Sequence, residues 1–252
     1  MFRRFLKLRV SSVLLLLCAT FCIPHLSATP PDPKINWYTE DYPPFNYHQT
    51  GSTKGIAVNI LLKAYAQLNW QLQAEDIRIM PWTRAYYTLK SEENACLFSM
   101  TYTPERAKVF NFLGTVMPNT VAIIGHADST VDEIQLKTDL NLRFGVVKND
   151  IGHQTLMEFG IPDSQFVFLK TGYELVQMLE HKRVDFIAYG EVIARYQLER
   201  ANISENQFKV VKPLLKSLLG FACNPQVSSD VINALDNAIH NIVKEHPEII
   251  QY

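Results

Sequence analysis

The chain has 252 residues, with 24 lysines and arginines against 25 aspartates and glutamates. Four of the basic residues lie within the first ten positions, and no acidic residue occurs before position 32. Removing those four leaves 20 basic against 25 acidic residues, a net charge of −5 for a chain that begins after residue 28. Because nucleic-acid binding needs a basic face, this balance argues against a nucleic-acid-binding protein.

The N-terminus has the three-part pattern of a secretory signal peptide. The basic stretch at 1–10 precedes an apolar run at 11–23, which is too short to span a bilayer, and a small-residue cleavage site ends at Ala28. Cys18 and Cys22 follow large residues, so a lipid anchor is not predicted. Since no later stretch is apolar enough for a transmembrane helix, we expect a secreted protein of the periplasm.

Apolar residues recur with the periods of alternating strands and helices. The predicted strands cover 34–39, 77–80, 95–100, 142–147, 165–170, 184–190 and 207–213, and the predicted helices cover 55–70, 81–91, 152–160, 172–183, 191–201 and 228–250, with another that starts at 104. Short loops between these elements predict parallel β-α-β units and therefore an α/β protein. The alternation of strands and helices begins again after residue 126. Two such series predict a protein with two lobes.

The segment "TYTPERAKVFNF" (101–112) begins a helix with a charge that its position disfavours. Thr103 is a typical N-cap residue and Pro104 a typical first residue of a helix. Arg106 falls in the first turn, where the helix dipole favours anions over cations. Either the guanidinium points outward and is solvated beside Glu105, or an anion lies above the helix start and is bound there.

The ends of the predicted strands indicate where a ligand would bind. In α/β sheets ligands bind beyond the carboxyl ends of the strands, where the strand order switches. This rule selects the segments after Thr39, Met80, Ser99 and Tyr189, together with the turn after Val147.

Several of these segments resemble the bacterial family 3 extracellular solute-binding proteins, the polar amino-acid-binding components of ABC importers. The resemblance is carried by "DYPPFNY", "GSTKGIAVNILLKAYAQL" and "SMTYTPERAKVFNF", and then by "RFGVV" and "HKRVDFIAYGEVIA". It covers residues 34–250. It implies a type II periplasmic-binding-protein fold, in which two lobes with mixed sheets flanked by helices close over a ligand in the cleft.

The same resemblance places two hinge strands between the lobes. We predict a signal peptide at 1–28, a first lobe formed by 29–117 and 215–252, and a second lobe at 118–214.

The resemblance also implies ligand-binding residues in the first lobe. Arg106 matches an arginine that grips a ligand carboxylate through a two-pronged salt bridge, for which the rigid guanidinium is suited. Ser99 and Thr101 match positions that add hydrogen bonds. Tyr42 matches an aromatic that stacks on the ligand, and Trp82 is placed like the aromatic of the opposite wall. Packing within a lobe is the alternative for both aromatics.

Other positions depart from the family pattern. Gly190 stands where amino-acid binders usually have an aspartate for the ligand ammonium, and the adjacent Glu191 is either its substitute or an ordinary acid in a first helical turn. The turn at 148–153 lacks the usual hydroxyls but contains Asp150, another candidate. Arg84 is either a second positive group in the cleft or a surface residue. Whether the ligand carries an ammonium is left open.

Cys96 and Cys223 are the cysteines that remain after the predicted cleavage. In an oxidising compartment they could form a disulfide, but both lie in apolar, strand-like segments where buried thiols are also common. The seven histidines show no close spacing with these cysteines, so neither a metal site nor a cofactor is predicted.

The leading functional prediction is a monomeric periplasmic protein that captures a small carboxylate-bearing ligand, an amino acid or related anion, for an ABC permease. A ligand sensor that regulates a partner protein is the second class. A dehydratase-like enzyme is the third, with His48, His153 and Glu191 as candidates for acid-base chemistry. These three form no recognisable catalytic pair, so no catalytic residue is assigned.

Overall fold

A computed structural model describes residues 31–252, and the predicted signal peptide at 1–28 lies outside them. Within the described residues the chain forms ten strands and eight α-helices. The strands are β1 (Asn36–Thr39), β2 (Tyr47–Gln49), β3 (Ser52–Lys54), β4 (Arg78–Ile79), β5 (Ala95–Thr101), β6 (Asn111–His126), β7 (Phe144–Val147), β8 (Phe166–Leu169), β9 (Phe186–Gly190) and β10 (Phe208–Cys223). The helices are α1 (Ile56–Gln67), α2 (Trp82–Ser91), α3 (Pro104–Ala107), α4 (Glu133–Thr138), α5 (Ile151–Phe159), α6 (Gly172–Glu180), α7 (Glu191–Arg200) and α8 (Ser229–Glu245).

The predicted α/β class is confirmed, with one difference in how the sheets are joined. Eight strands form one mixed sheet in the order β4-β1-β5-β10-β6-β9-β7-β8, and β2 and β3 form a separate hairpin. The two predicted sheets are continuous because β6 and β10, of 16 residues each, pair with each other along their whole length. At one end β10 also pairs with β5, and at the other end β6 pairs with β9.

The long strands β6 and β10 are therefore shared by two lobes. We call β1 to β5 with α1 to α3 and α8 the first lobe, and β7 to β9 with α4 to α7 the second lobe. The predicted boundaries at 118 and 214 fall inside β6 and β10, where the hydrogen bonding between the two strands runs past them. These boundaries stay a prediction.

Each lobe has an aromatic centre. In the first, the rings of Trp37 and Phe221 meet edge to face at 5.9 Å, and Phe98 lies 5.6 Å from Phe221. In the second, Phe144 and Phe186 stack at 5.5 Å on adjacent strands. Such pairs add to the free energy gained by burying the rings. The buried cluster around Phe144 and Phe186 is separate from the one around Trp37 and Phe221, which continues into α6 and α7 of the second lobe.

The segment that leads into α1 depends on a glycine. Gly55 has φ +128°, and a Cβ there would lie 2.2 Å from the carbonyl oxygen of Phe45. Only glycine fits this backbone and this contact. The close contact fixes the loop after β1, which carries Tyr42, against the start of α1.

The C-terminal helix is shorter than predicted. α8 ends at Glu245 and a single 3-10 turn follows at Pro247–Ile250. Pro247 disfavours the helical conformation at His246, whose φ and ψ are −131° and 64°. None of the helices in the described part of the chain is long and apolar enough to cross a membrane.

The two cysteines of the described chain form a disulfide. Cys96 in β5 and Cys223 in β10 are direct partners in the antiparallel register, with Cα atoms 4.1 Å apart, and both are fully buried. The pairing resolves the alternatives that the sequence left open, and it links residues 127 positions apart.

Candidate functional site

Arg106 points into the protein from the start of α3. The Thr103 hydroxyl caps the helix by accepting from the Arg106 backbone N–H at 3.2 Å. The side chain is only 3% exposed, its Nη1 donates to the Thr101 carbonyl at 3.1 Å, and its guanidinium lies 5.2 Å from the centre of the Trp82 ring. The guanidinium is therefore held in a fixed orientation and is not solvated.

The other edge of this guanidinium has no partner. Nε and Nη2 of Arg106 are buried and make no hydrogen bond with the described protein, and the same holds for the indole Nε1 of Trp82. An unpaired buried donor is unfavourable by about 1–3 kcal/mol, and more when it is charged. Because Nε and Nη2 donate in parallel, this edge matches the two oxygens of a carboxylate.

Asp150 faces Arg106 from the second lobe. It precedes α5, is 4% exposed, and its Oδ2 is buried without a hydrogen-bond partner. Burial raises the pKa of the Asp150 carboxyl, whereas the positive charge of Arg106 opposes that shift. A Cβ on Gly152 would lie 2.1 Å from the carbonyl oxygen of Ala188, so α5 begins pressed against β9 and holds Asp150 in place.

Glu40 is a member of the site that the sequence did not predict. It follows β1 directly and is 7% exposed. Burial raises the pKa of Glu40 well above its ordinary value, the charges of Asp150 and Asp41 raise it further, and Arg106 opposes the shift. Its position after Thr39, one of the strand ends selected from the sequence, was the signal that could have found it.

Tyrosines from both lobes complete the site. Tyr42 meets Tyr189 edge to face at 5.4 Å, and its hydroxyl faces the side-chain amide of Asn119 in β6. The hydroxyl of Tyr189 is buried without a hydrogen-bond partner. We call the following residues the cleft cluster: Glu40, Tyr42, Trp82, Arg106, Asp150 and Tyr189.

The remaining predicted site residues lie at the edge of the cluster or outside it. Thr101 is buried and orients Arg106 through its carbonyl. Ser99 is buried with φ +59°, and its hydroxyl is hydrogen-bonded to the side-chain oxygen of Asn46. Its role is therefore to hold the loop after β1, and positive φ in a non-glycine residue is typical of functional regions.

For two candidate positions the structure favours the second of the alternatives that the sequence left open. Glu191 has a side chain that is 40% exposed, and it lies 3.8 Å from Arg195 one turn later on the surface of α7. Arg84 is exposed on α2. Both side chains are at least partly exposed at the starts of their helices. The apolar pattern of a helix does not show which of its first residues face a neighbouring cleft.

Neither of the two histidines considered for catalysis is a member of the cleft cluster. His48 is exposed on the β2-β3 hairpin. His153 is packed between the rings of Phe166 and Phe168, at 5.0 and 5.2 Å, and burial lowers its pKa. Among residues 31–252, no group of three His, Cys, Asp or Glu side chains is arranged to hold a metal ion.

Direct bonds between the lobes show a closed cleft. Asp41 Oδ2 accepts from Arg200 Nη1 of α7 at 2.6 Å, and the Asp41 carbonyl accepts from Gln197 Nε2 at 3.4 Å. At another point the Thr83 hydroxyl donates to the Lys148 carbonyl at 3.3 Å. The Asp41-Arg200 ion pair can form only when the lobes are together.

Arg200→Ala is expected to speed ligand dissociation by up to about fivefold at low salt. The ion pair is partly exposed, and such pairs contribute about 0.2–1 kcal/mol. Stopped-flow dissociation rates at low and high salt would measure the effect, which salt should suppress. Arg195→Ala is the matched control, because its partners Glu191 and Glu205 lie in its own lobe. An equal acceleration by both variants would contradict this role.

Two lobes that share the long strands β6 and β10 and close over unpaired polar groups define a type II periplasmic-binding-protein fold. Residues 36–247 match the bacterial extracellular solute-binding proteins, family 3. The chain belongs to this family. No curated protein matches it in sequence.

Solved structures share the fold at low identity. The arginine-, lysine-, histidine-binding protein ArtJ of Geobacillus stearothermophilus has a TM-score of 0.73 and 18% identity, covering 86% of this chain and 93% of its own. A histidine kinase sensor domain with similarity to periplasmic binding proteins has a TM-score of 0.72 and 17% identity, and the match covers 86% of this chain and 92% of the sensor domain. The ancestral amino acid-binding protein AncCDT-1, a precursor of cyclohexadienyl dehydratase, has a TM-score of 0.66 and 19% identity. The match covers 84% of this chain and 91% of that protein. These similarities establish the fold.

Proposed function

We propose that the protein is a periplasmic solute-binding protein that encloses a small carboxylate-bearing ligand, an amino acid or a related anion, and delivers it to an ABC permease. The observation that carries the proposal is the unpaired Nε and Nη2 edge of the buried Arg106. The names of solved structures with this fold support a ligand of amino-acid size, since ArtJ binds arginine, lysine and histidine.

Ligand binding would stabilise the closed form because its contacts come from both lobes. Arg106 and Trp82 belong to the first lobe, whereas Asp150 and Tyr189 belong to the second. A ligand that touches both sets binds the closed state better than the open one and shifts the hinge equilibrium toward it. We place the hinge where β6 and β10 pass residues 118 and 214, and propose that the protein acts as a monomer.

A thermal-shift screen across amino acids, organic acids and short peptides tests this proposal. At a ligand concentration of 100 times Kd, the protein gains about 2.7 kcal/mol of stability, which is readily measured. At least one carboxylate should raise the unfolding midpoint, and its decarboxylated analogue should not. Stabilisation by no carboxylate, or equal stabilisation by the decarboxylated analogues, would contradict it.

A ligand sensor is the second candidate, because the histidine kinase sensor domain shares this fold. Transport and sensing can be distinguished by an experiment in living cells. Deleting the gene should abolish uptake of the labelled ligand if the protein serves an importer, whereas a sensor would leave uptake intact and change a downstream response. Turnover of the bound ligand, followed by NMR, would instead identify an enzyme.

A further inference from the structure

We propose that His153 is a positioning residue of the cleft, whose neutral imidazole holds the turn at 148–150 in the shape that binds the ligand, so that acid weakens binding. The proposal rests on the proposed function, because it concerns the affinity of the same cleft. It deepens that function by adding a dependence of ligand capture on pH.

The turn at 148–150 contributes to the cleft at two points. Lys148 offers the carbonyl that accepts from the Thr83 hydroxyl of the first lobe at 3.3 Å. Asp150 belongs to the cleft cluster and is 4% exposed. The shape of this turn therefore sets both a contact between the lobes and the position of a buried carboxyl in the site.

His153 fastens the middle of this turn to α5. The backbone N–H of Asn149 donates to Nδ1 of His153 at 3.3 Å, and the Asn149 carbonyl accepts from Nε2 of Gln154 at 3.4 Å. Asn149 has φ +62°, a left-handed conformation that is unfavourable for a residue other than glycine unless its surroundings hold it. Because Gly152 packs directly against β9, α5 is a fixed support. His153 thus presents an anchored acceptor to the turn.

The neutral form of the imidazole is required for this bond. A ring nitrogen that accepts a hydrogen bond carries no hydrogen, so the hydrogen of the neutral His153 ring lies on Nε2. In the imidazolium both nitrogens are donors, and Nδ1–H would face the Asn149 N–H. Nε2 is buried without a hydrogen-bond partner, and a charged donor left there is more unfavourable than a neutral one. Protonation therefore removes the bond that holds the turn.

The surroundings of His153 favour the neutral ring. It lies between the rings of Phe166 and Phe168, and burial lowers its pKa. The charged groups that face it are Asp163, in the turn before β8, which opposes this shift, and Lys148, which adds to it. Because the pKa lies below its ordinary value of about 6.5, the bond is complete above about pH 6.5. It is lost as the pH falls through the lower pKa of the folded protein.

Calorimetry at a series of pH values tests the proposal with the ligand from the screen. Between about pH 7.5 and about pH 5, Asp and Glu side chains with ordinary pKa values stay ionised. Below the pKa of His153 the wild type should lose affinity by up to about tenfold per pH unit, because binding then has to release a proton.

Two variants separate the acceptor from the charge. His153→Asn supplies a side-chain oxygen that accepts but does not titrate, so it should retain most of the wild-type affinity at neutral pH and keep it better in acid. His153→Leu has no acceptor and should bind about 2- to 13-fold more weakly at neutral pH, which corresponds to one neutral hydrogen bond. Chemical denaturation of each ligand-free variant shows whether it is folded.

The comparison of wild type with His153→Asn also removes the contribution of the cleft carboxyls. Glu40 and Asp150 titrate in both proteins, so the difference between the two pH profiles belongs to His153. The matched control is His181→Asn, an exposed histidine of the same lobe, which should keep the wild-type profile. Parallel profiles for wild type and His153→Asn would overturn the proposal, and so would full affinity in a folded His153→Leu protein.

Nitrogen NMR of the ligand-free protein tests the bond without any ligand. Nδ1 of His153 should carry no hydrogen at neutral pH, and the amide resonance of Asn149 should shift as the His153 ring titrates, at a lower pH than His181. A hydrogen on Nδ1 at neutral pH, or an Asn149 amide that does not respond, would overturn the positioning role even if the screen finds a ligand. A failed screen contradicts the proposed function instead, and the spectra still decide whether His153 holds the turn.

Discussion

Arg106→Ala is expected to weaken the binding of every carboxylate ligand by about 30- to 4000-fold. Removing one member of a buried, hydrogen-bonded charge pair typically reduces the binding free energy by about 2–5 kcal/mol, and each 1.4 kcal/mol is about tenfold in Kd. The wild-type guanidinium is already oriented by the Thr101 carbonyl and by the Trp82 ring, so little ordering is required when the ligand binds. Calorimetry with the ligand from the screen measures the loss.

Two further variants make this result specific. Arg84→Ala removes an exposed arginine from α2 and should leave affinity unchanged. Arg106→Lys keeps the charge but loses the planar fork, so it should retain only part of the affinity. Chemical denaturation of each ligand-free variant shows whether the fold persists. Unaltered affinity in a folded Arg106→Ala protein would mean that the carboxylate is bound elsewhere.

Removing the disulfide is expected to lower the free energy of unfolding by about 3–5 kcal/mol. The Cys96-Cys223 bond closes a loop with a sequence separation of 127, and a loop of this length strongly restricts the unfolded chain. The double variant Cys96→Ala/Cys223→Ala is preferable to serine, because serine would bury two hydroxyls in an apolar setting. Denaturant midpoints followed by circular dichroism measure the change.

The wild type supplies its own control in this experiment. Both cysteines are fully buried, so a reductant acts on the bond once the chain unfolds. Adding dithiothreitol should shift the wild-type midpoint to that of the double variant and leave the variant unaffected. If the wild-type midpoint is insensitive to the reductant, the bond does not contribute the stability that we assign to it.

The sequence predicted most elements of the fold because their apolar periods are local properties. The long strand β6 was not predicted, since it passes from one lobe to the other and its buried face changes along the way. The disulfide could not be decided either, because it depends on the register between β5 and β10, strands far apart in the chain.

Only part of the candidate site was predicted, because only some of its residues have a signal in the local sequence. Arg106 stood out because a cation in a first helical turn conflicts with the helix dipole. Glu40 carried no such conflict, so nothing in its sequence context indicated that it would be buried. For Glu191 and Arg84 the sequence left two alternatives open, because the rotation of a helix about its axis decides which of its first residues face the cleft.

A crystal structure of the complex with the ligand identified by the screen is the most direct test of the central claim. We expect a ligand carboxylate in the cleft with its two oxygens about 2.7–2.9 Å from Nε and Nη2 of Arg106. A carboxylate bound at another place, or an Arg106 edge paired with a protein group such as Asp150 while the ligand lies elsewhere, would contradict it.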